Sequence, residues 1–211
     1  SEGMSGKDET YLVACLAEPD LRVRKAAQFE LARRGTTWAL LAVARQKENQ
    51  LARLHAIWGL GQVARGWPDN AKGDPGAGEP LVELLSDEDE EVRAQAAKVL
   101  GESKHLPSTK SLIELLEDDS LRVRFHAAIA VAKLEAPQAV KPLFAVIAQN
   151  DDEDAFLRHA AVMGLVVSTK TETQPLLDAS KSNDASIRLA AILALRRHAH
   201  PGIASFMADR D

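Results

Sequence analysis

The sequence predicts an all-α chain, a right-handed superhelical stack of six helix pairs with a partial seventh, in one domain over residues 1–211. Two compositional facts and one pattern carry this. Ala and Leu dominate while aromatics make up only 4%, and that mix favours helices over strands. Hydrophobic residues reach 45% with a net charge of only −5, too apolar for a disordered chain. Six segments then share one pattern of a polar cap, three residues, an arginine, alanines and a leucine, with the arginines 29 to 40 residues apart. A period in that range is the mark of stacked repeats.

The first helix of each pair is read from an apolar-periodic stretch. These are Tyr11–Ala17, Trp38–Ala44, Leu81–Leu85, Leu112–Leu116, Leu143–Ala148 and Pro175–Ala179. Pro80, Pro142 and Pro175 fall early in such stretches, where a missing N–H costs least. The second helix follows an acidic turn and opens at Asp20, Asn49, Asp89, Ser120, Asp154 or Asp184. Each cap can accept from the free N–H groups of the first turn. Apolar residues at −1, +3 and +7 from the arginine, such as Val123, Ala127 and Val131, form a helical stripe.

The repeats are expected near residues 8–35, 36–66, 76–102, 107–135, 136–168 and 171–199. Breakers between them include Gly35, Pro137 and Gly202. The Gly/Pro-rich stretch 66–78 is expected to be a mobile surface loop, with Trp67 capping a nearby helix end and Trp67–Ala77 dispensable for the fold. Gly202–Ala208 reads as a seventh first helix. A chain stopping there is expected to be a piece of a larger protein, since stacked repeats usually end on a polar-faced capping helix.

The D-x-x-[VIL]-R-x-x-A-A cores around Arg24, Arg93, Arg124 and Arg188 resemble the HEAT repeat in its short, phycobilisome-lyase-like form; Arg53 and Arg158 sit in looser copies. The resemblance implies a HEAT/armadillo-like solenoid with the second helices lining a concave layer. An Asp/Arg ladder is then expected through Asp20, Arg24, Arg53, Asp89, Arg93, Arg124, Asp154, Arg158, Asp184 and Arg188, each arginine reaching the next repeat's cap. Its recurrence in every repeat marks it as structural.

Motifs for catalysis, cofactors and metals are missing. There is no GxxxxGK[ST], HExxH or CxxCH. Gly59, Gly61 and Gly66 lie in and after a helix, so close packing explains them better than phosphate binding. His198 and His200 are expected near a helix C-terminus, and Cys15 as a small buried side chain. The acidic runs match no calcium loop and sit where helix N-termini favour negative charge. No catalytic, cofactor or metal residue is therefore assigned. No 18-residue apolar stretch exists to insert in a membrane, and an acidic chain with Glu91 and Glu102 in its groove is not expected to bind nucleic acid.

Stepping 100° per residue places positions −2, +2, +5 and +9 opposite the core stripe. Partner-binding candidates on that face are Arg22, Phe29, Arg33, His55, Trp58, Arg122, His126, Ile129, Phe156 and Met163. Aromatic and arginine side chains are the usual interface anchors. A non-catalytic scaffold is expected, taking a protein segment or a neighbouring domain of the same chain. The run Leu51–Arg65 is also similar to the HEAT region of large bacterial dehydrogenase-like proteins with a propeller and a cytochrome c domain, which implies a spacer role in the cell envelope. The phycobilisome-lyase-like resemblance implies a bilin-attaching protein as a further alternative.

Overall fold

The computed structural model describes residues 3–66 and 73–206. The chain forms two compact units, Ser1–Ser108 and Thr109–Asp211. Each holds three of the six expected helix pairs. The described residues are helix and turn, with no strand among them.

In the N-terminal unit α1 (Glu9–Cys15) and α2 (Leu21–Arg34) form the first pair, and α3 (Thr37–Ala44) and α4 (Gln50–Arg65) the second. The third pair is 3-10 helix at Pro75–Leu81 and Glu83–Ser86, followed by α5 (Glu90–Glu102). In the C-terminal unit α6 (Thr109–Glu114) precedes α7 (Leu121–Lys133), α8 (Val140–Asn150) precedes α9 (Ala155–Ser168), and α10 (Gln174–Asp178) precedes α11 (Ala185–Arg197). Successive second helices pack on one another, α4 against α2 and α5, and α9 against α7 and α11.

All six expected caps open the second helices. Asp20, Asn49, Asp89, Asp154 and Asp184 accept from first-turn amides of their own helices. Ser120 makes no such side-chain bond; Asp118 Oδ1 instead accepts from Ser120 N at 2.9 Å. Leucine fills the interior. Leu12, Leu31, Leu60 and Leu100 are fully buried in the N-terminal unit, and Leu112, Leu143, Leu165 and Leu195 in the C-terminal unit. Each such side chain contributes roughly 1.5–3 kcal/mol. Cys15 is buried among them, as its place in an apolar run implies.

Two elements differ from the sequence reading. The first helix of the third pair is 3-10 in two pieces. Pro80 sits inside it without an N–H to donate. The stretch expected as a loop to Gly78 is structured from Asp74, which accepts from Gly76 N at 2.9 Å. Ala77 is fully buried and Gly78 lies against the His105 ring, so the C-terminal end of this stretch packs on the rest of the unit. Trp67 and its expected capping role lie outside the described residues. So do Met207 and Ala208, and the expected seventh helix is seen as the 3-10 segment Pro201–Phe206.

The repeated arginines mainly clamp their own turns. Arg24 Nη1 donates to Glu18 O and Pro19 O at 2.6 and 2.7 Å. Arg93 Nη1 reaches Asp87 O and Glu88 O, and Arg188 Nη1 reaches Ser182 O. Arg158 pairs with Asp152. Forward contacts do occur, but not with the expected caps. Arg53 donates to Ala44 O at 2.9 Å and grips both oxygens of Asp87, two residues before the Asp89 cap. Arg124 donates to Gln149 Oε1 at 3.3 Å, not to Asp154. The ladder is corrected accordingly: the cap carboxylates give Oδ1 to their own first-turn amides, Asp89 Oδ2 accepts from Gln50, and the arginines are seen on turn carbonyls or on Asp87, Asp152 and Gln149.

Helix ends carry some strain. Gly35 closes α2 at φ +66°, where a glycine costs nothing, but Lys104, Glu135 and Ala199 occupy the same left-handed region with side chains. Ala199→Gly should therefore raise stability by about 1 kcal/mol, read as a higher urea midpoint at unchanged slope. An equal or lower midpoint would show that no strain resides there.

Candidate binding face of the N-terminal unit

Helices α2, α4 and α5 share a row of buried and half-buried hydrogen-bonded side chains. Gln28 on α2 donates from Nε2 to Gln62 Oε1 on α4 at 3.1 Å, and its oxygen lies 2.7 Å from His55 Nδ1. With its amide nitrogen committed to Gln62, the Gln28 oxygen must accept. That places a proton on His55 Nδ1. His55 meets Trp58 edge to face, with ring centroids 4.9 Å apart at 75°. Trp58 Nε1 donates to Gln95 Oε1 on α5 at 2.8 Å, and Gln95 Nε2 donates to Glu91 Oε1 at 2.8 Å.

His55 is buried, and so are Gln28 and Gln95. Burial, assisted by the Arg24 charge, pushes the His55 imidazole down to about 4. The ring is a fixed, uncharged part of the row at neutral pH.

Of the residues expected on this face, the structure brings His55 and Trp58 together. Trp58 is half-buried: neither enclosed by its neighbours nor free. Phe29 is half-buried beneath Lys25 Nζ, 5.4 Å from its ring centroid. Leu51, at the start of α4, is 49% exposed. Arg22 and Arg33 point outward but are engaged within their own helix region. Arg22 pairs with Asp20 at 2.6 Å and Arg33 with Glu30 at 2.7 Å. The hydrogen bond from Arg33, with a second from Arg34, holds the Glu30 carboxyl at about 2 despite its burial. Arg22 has a carboxylate to itself, whereas Arg33 shares Glu30 with Arg34.

In the C-terminal unit Arg122 is exposed, His126 lies beside Phe125 at 5.2 Å, and Ile129 and Met163 are half-buried. Phe156 is 77% exposed. His198 closes α11, its Nε2 3.1 Å from Thr169 Oγ1, and His200 Nδ1 accepts from Gly202 N. Among the described residues no three His, Cys, Asp or Glu side chains converge as metal ligands, and no helix is long and apolar enough to cross a membrane. Gly59 and Gly61 mark close packing. A Cβ would come within 3.0 Å of Leu40 at the first and 2.5 Å of Val99 at the second.

The 100° stepping puts Gln62 and Gln95 on this face without giving them a role, and it misses Gln28. In an alanine-rich second helix a buried amide such as Gln28 must find a partner. That requirement was the available signal.

Comparison with known proteins gives the same architecture. The family model described as HEAT repeats matches residues 37–120 and 78–166. No curated protein matches by sequence. Among solved structures, the CpcE–CpcF complex of phycocyanin lyase from Nostoc sp. is 20% identical over 90% of this chain and 76% of that one, with a TM-score of 0.58. A designed armadillo repeat protein in complex with the peptide (KR)4 is 17% identical over 95% and 100%, at 0.56. YibA of E. coli is 18% identical over 97% and 76%, at 0.63. At these identities the likeness shows the fold, an α-helical repeat of a kind that commonly serves as a protein-interaction scaffold. With most of its length matched by that model and its six second helices in place, the chain belongs to the HEAT-repeat family.

Proposed function

We propose that the chain is a non-catalytic protein-interaction module whose second-helix face in the N-terminal unit receives a protein segment. The observation that carries this is the half-buried Trp58, set in a row of polar groups that already satisfy one another, with the exposed Leu51 two turns before it on α4. A partner can cover such a surface without stranding a buried donor, so the apolar contact is not offset by a desolvation penalty. The peptide bound by the designed armadillo protein supports the reading by likeness of fold. A neighbouring domain of the same chain is an equivalent occupant, as the dehydrogenase-like resemblance implies.

Selection of a random peptide library on the full chain, followed by affinity measurement on variants, tests this. The dominant binders should lose about tenfold in affinity or more on Leu51→Arg. That position is exposed at a helix start, so the thermal midpoint should stay within a degree or two. Binders indifferent to Leu51→Arg would place the interaction elsewhere and overturn the reading.

A further inference from the structure

In the C-terminal unit the turns leading into α7 and α9 form an edge with a different character. Leu121, the first residue of α7, is 46% exposed, and Phe156, the second of α9, is 77% exposed. Together with Arg124, Gln149, Asn150 and Glu153 they line a depression of about 580 Å³. Exposed leucines are common on protein surfaces. A phenylalanine at this exposure beside a second large apolar side chain and an open depression is not.

The edge is built rigidly. Asn150 is buried and clasps the turn after α8, donating from Nδ2 to Asp154 O at 3.1 Å and accepting from Asp154 N at 3.2 Å. Asp154 in turn accepts from Phe156 N and Leu157 N at 2.8 and 2.9 Å. The backbone that carries Phe156 is thus fixed before any partner arrives, so little entropy remains to be lost on binding there.

The rim has one dominant sign. Glu117, Asp119, Asp151 and Glu153 are all exposed. Three arginines share the edge: Arg124 lines the depression with its Nη1 on the uncharged Gln149, Arg158 is paired with Asp152, and Arg122 has a partner of its own; the exposed carboxylates outnumber them. An apolar seat whose two approaching turns carry more acidic than basic groups complements a segment that pairs a bulky apolar side chain with flanking Lys or Arg.

We propose that this edge docks a cationic amphipathic peptide segment of a protein partner. Its large apolar side chain sits between Leu121 and Phe156, and its basic side chains face Glu117, Asp119, Asp151 and Glu153. The proposal involves C-terminal-unit residues alone and does not rest on the N-terminal face.

The test is fluorescence anisotropy of the full chain with a dye-labelled peptide, Lys-Arg-Leu-Trp-Arg-Lys, against its acidic counterpart, Glu-Asp-Leu-Trp-Asp-Glu. The cationic peptide should bind about tenfold more tightly or better, and its affinity should fall several-fold between about 50 and 300 mM salt. Phe156→Ala and Glu153→Lys should each weaken it about tenfold, Phe156→Leu should retain most of it, and Leu51→Arg should leave it unchanged. Equal affinity for both peptides, indifference to Phe156→Ala, or no binding up to about 1 mM peptide would overturn the proposal. So would sedimentation showing that the chain self-associates through Phe156, since a second copy would then be the occupant.

Discussion

Arg53→Met should destabilise the chain by roughly 3–5 kcal/mol at pH 7. Arg53 is only 4% exposed, and its guanidinium satisfies the end of α3 through Ala44 O and the turn before α5 through both oxygens of Asp87. The substitution keeps the aliphatic volume but leaves the Asp87 carboxylate, itself 14% exposed, without its counter-ion. Burial pushes the Asp87 carboxyl up. No single partner outweighs that; the Arg53 hydrogen bond, the Asp89 amide and the charges of Arg53 and Lys47 do so together, and the net effect is a depressed value. A carboxylate depressed in the folded state contributes stability above its ordinary titration range, and loses it as pH falls through its folded value. In the variant only burial and the weaker partners remain, so Asp87 should take a proton at higher pH than in the parent. The difference between parent and variant should consequently shrink near pH 4. Urea denaturation at both pH values measures this, with a thermal midpoint lower by about 10 °C at pH 7 as a second reading. An unchanged midpoint would show that the turn needs no arginine.

The second large effect is acid sensitivity traceable to one imidazole. Unfolded, His55 titrates near 6.5; folded, it is held down to about 4. Between those values the unfolded chain binds more protons, so stability rises with pH across the window and falls on acidification. The full depression corresponds to roughly 3 kcal/mol by pH 4, at about 1.4 kcal/mol per pH unit. Carboxylates with depressed values add their own loss at lower pH, so the quantity to compare is the slope between parent and His55→Gln. Denaturation at pH 7, 5.5 and 4.5 should show a steeper decline in the parent. Parallel slopes would mean that His55 protonates as easily folded as unfolded.

The second helices were legible because a helix start is a local event. An Asp or Asn can be recognised as a cap from the residues that follow it, and Asp20, Asn49, Asp89, Asp154 and Asp184 all act so. The first helices were less legible because they are short. Leu115–Glu117 and Ala179–Lys181 tighten into 3-10 turns just before the acidic residues, and apolar periodicity over five residues cannot separate the two geometries. The candidate face was read by angle alone. That placed Trp58 and His55 on one side of α4 but not the Gln28 that binds His55, since a contact across 27 residues of chain depends on how α2 seats on α4. Arg22 and Arg33 were recognisable as outward-facing, yet the acids that engage them, Asp20 and Glu30, lie only two and three residues away.

The clamping of turns by Arg24, Arg93 and Arg188 bears on how such a chain can lengthen. In each case the acceptor carbonyls lie five or six residues before the arginine. A copied segment therefore brings both halves of its clamp with it, and a duplication needs no matching change in its neighbours to close the new turn. Contacts this near in sequence also form early, because little chain entropy is lost in closing them. The Arg53–Asp87 pair, separated by 34 residues, follows the opposite rule. A copy inserted between α4 and α5 keeps this contact only if it brings an aspartate at the position of Asp87, so growth at that junction needs a matched pair rather than a self-contained turn.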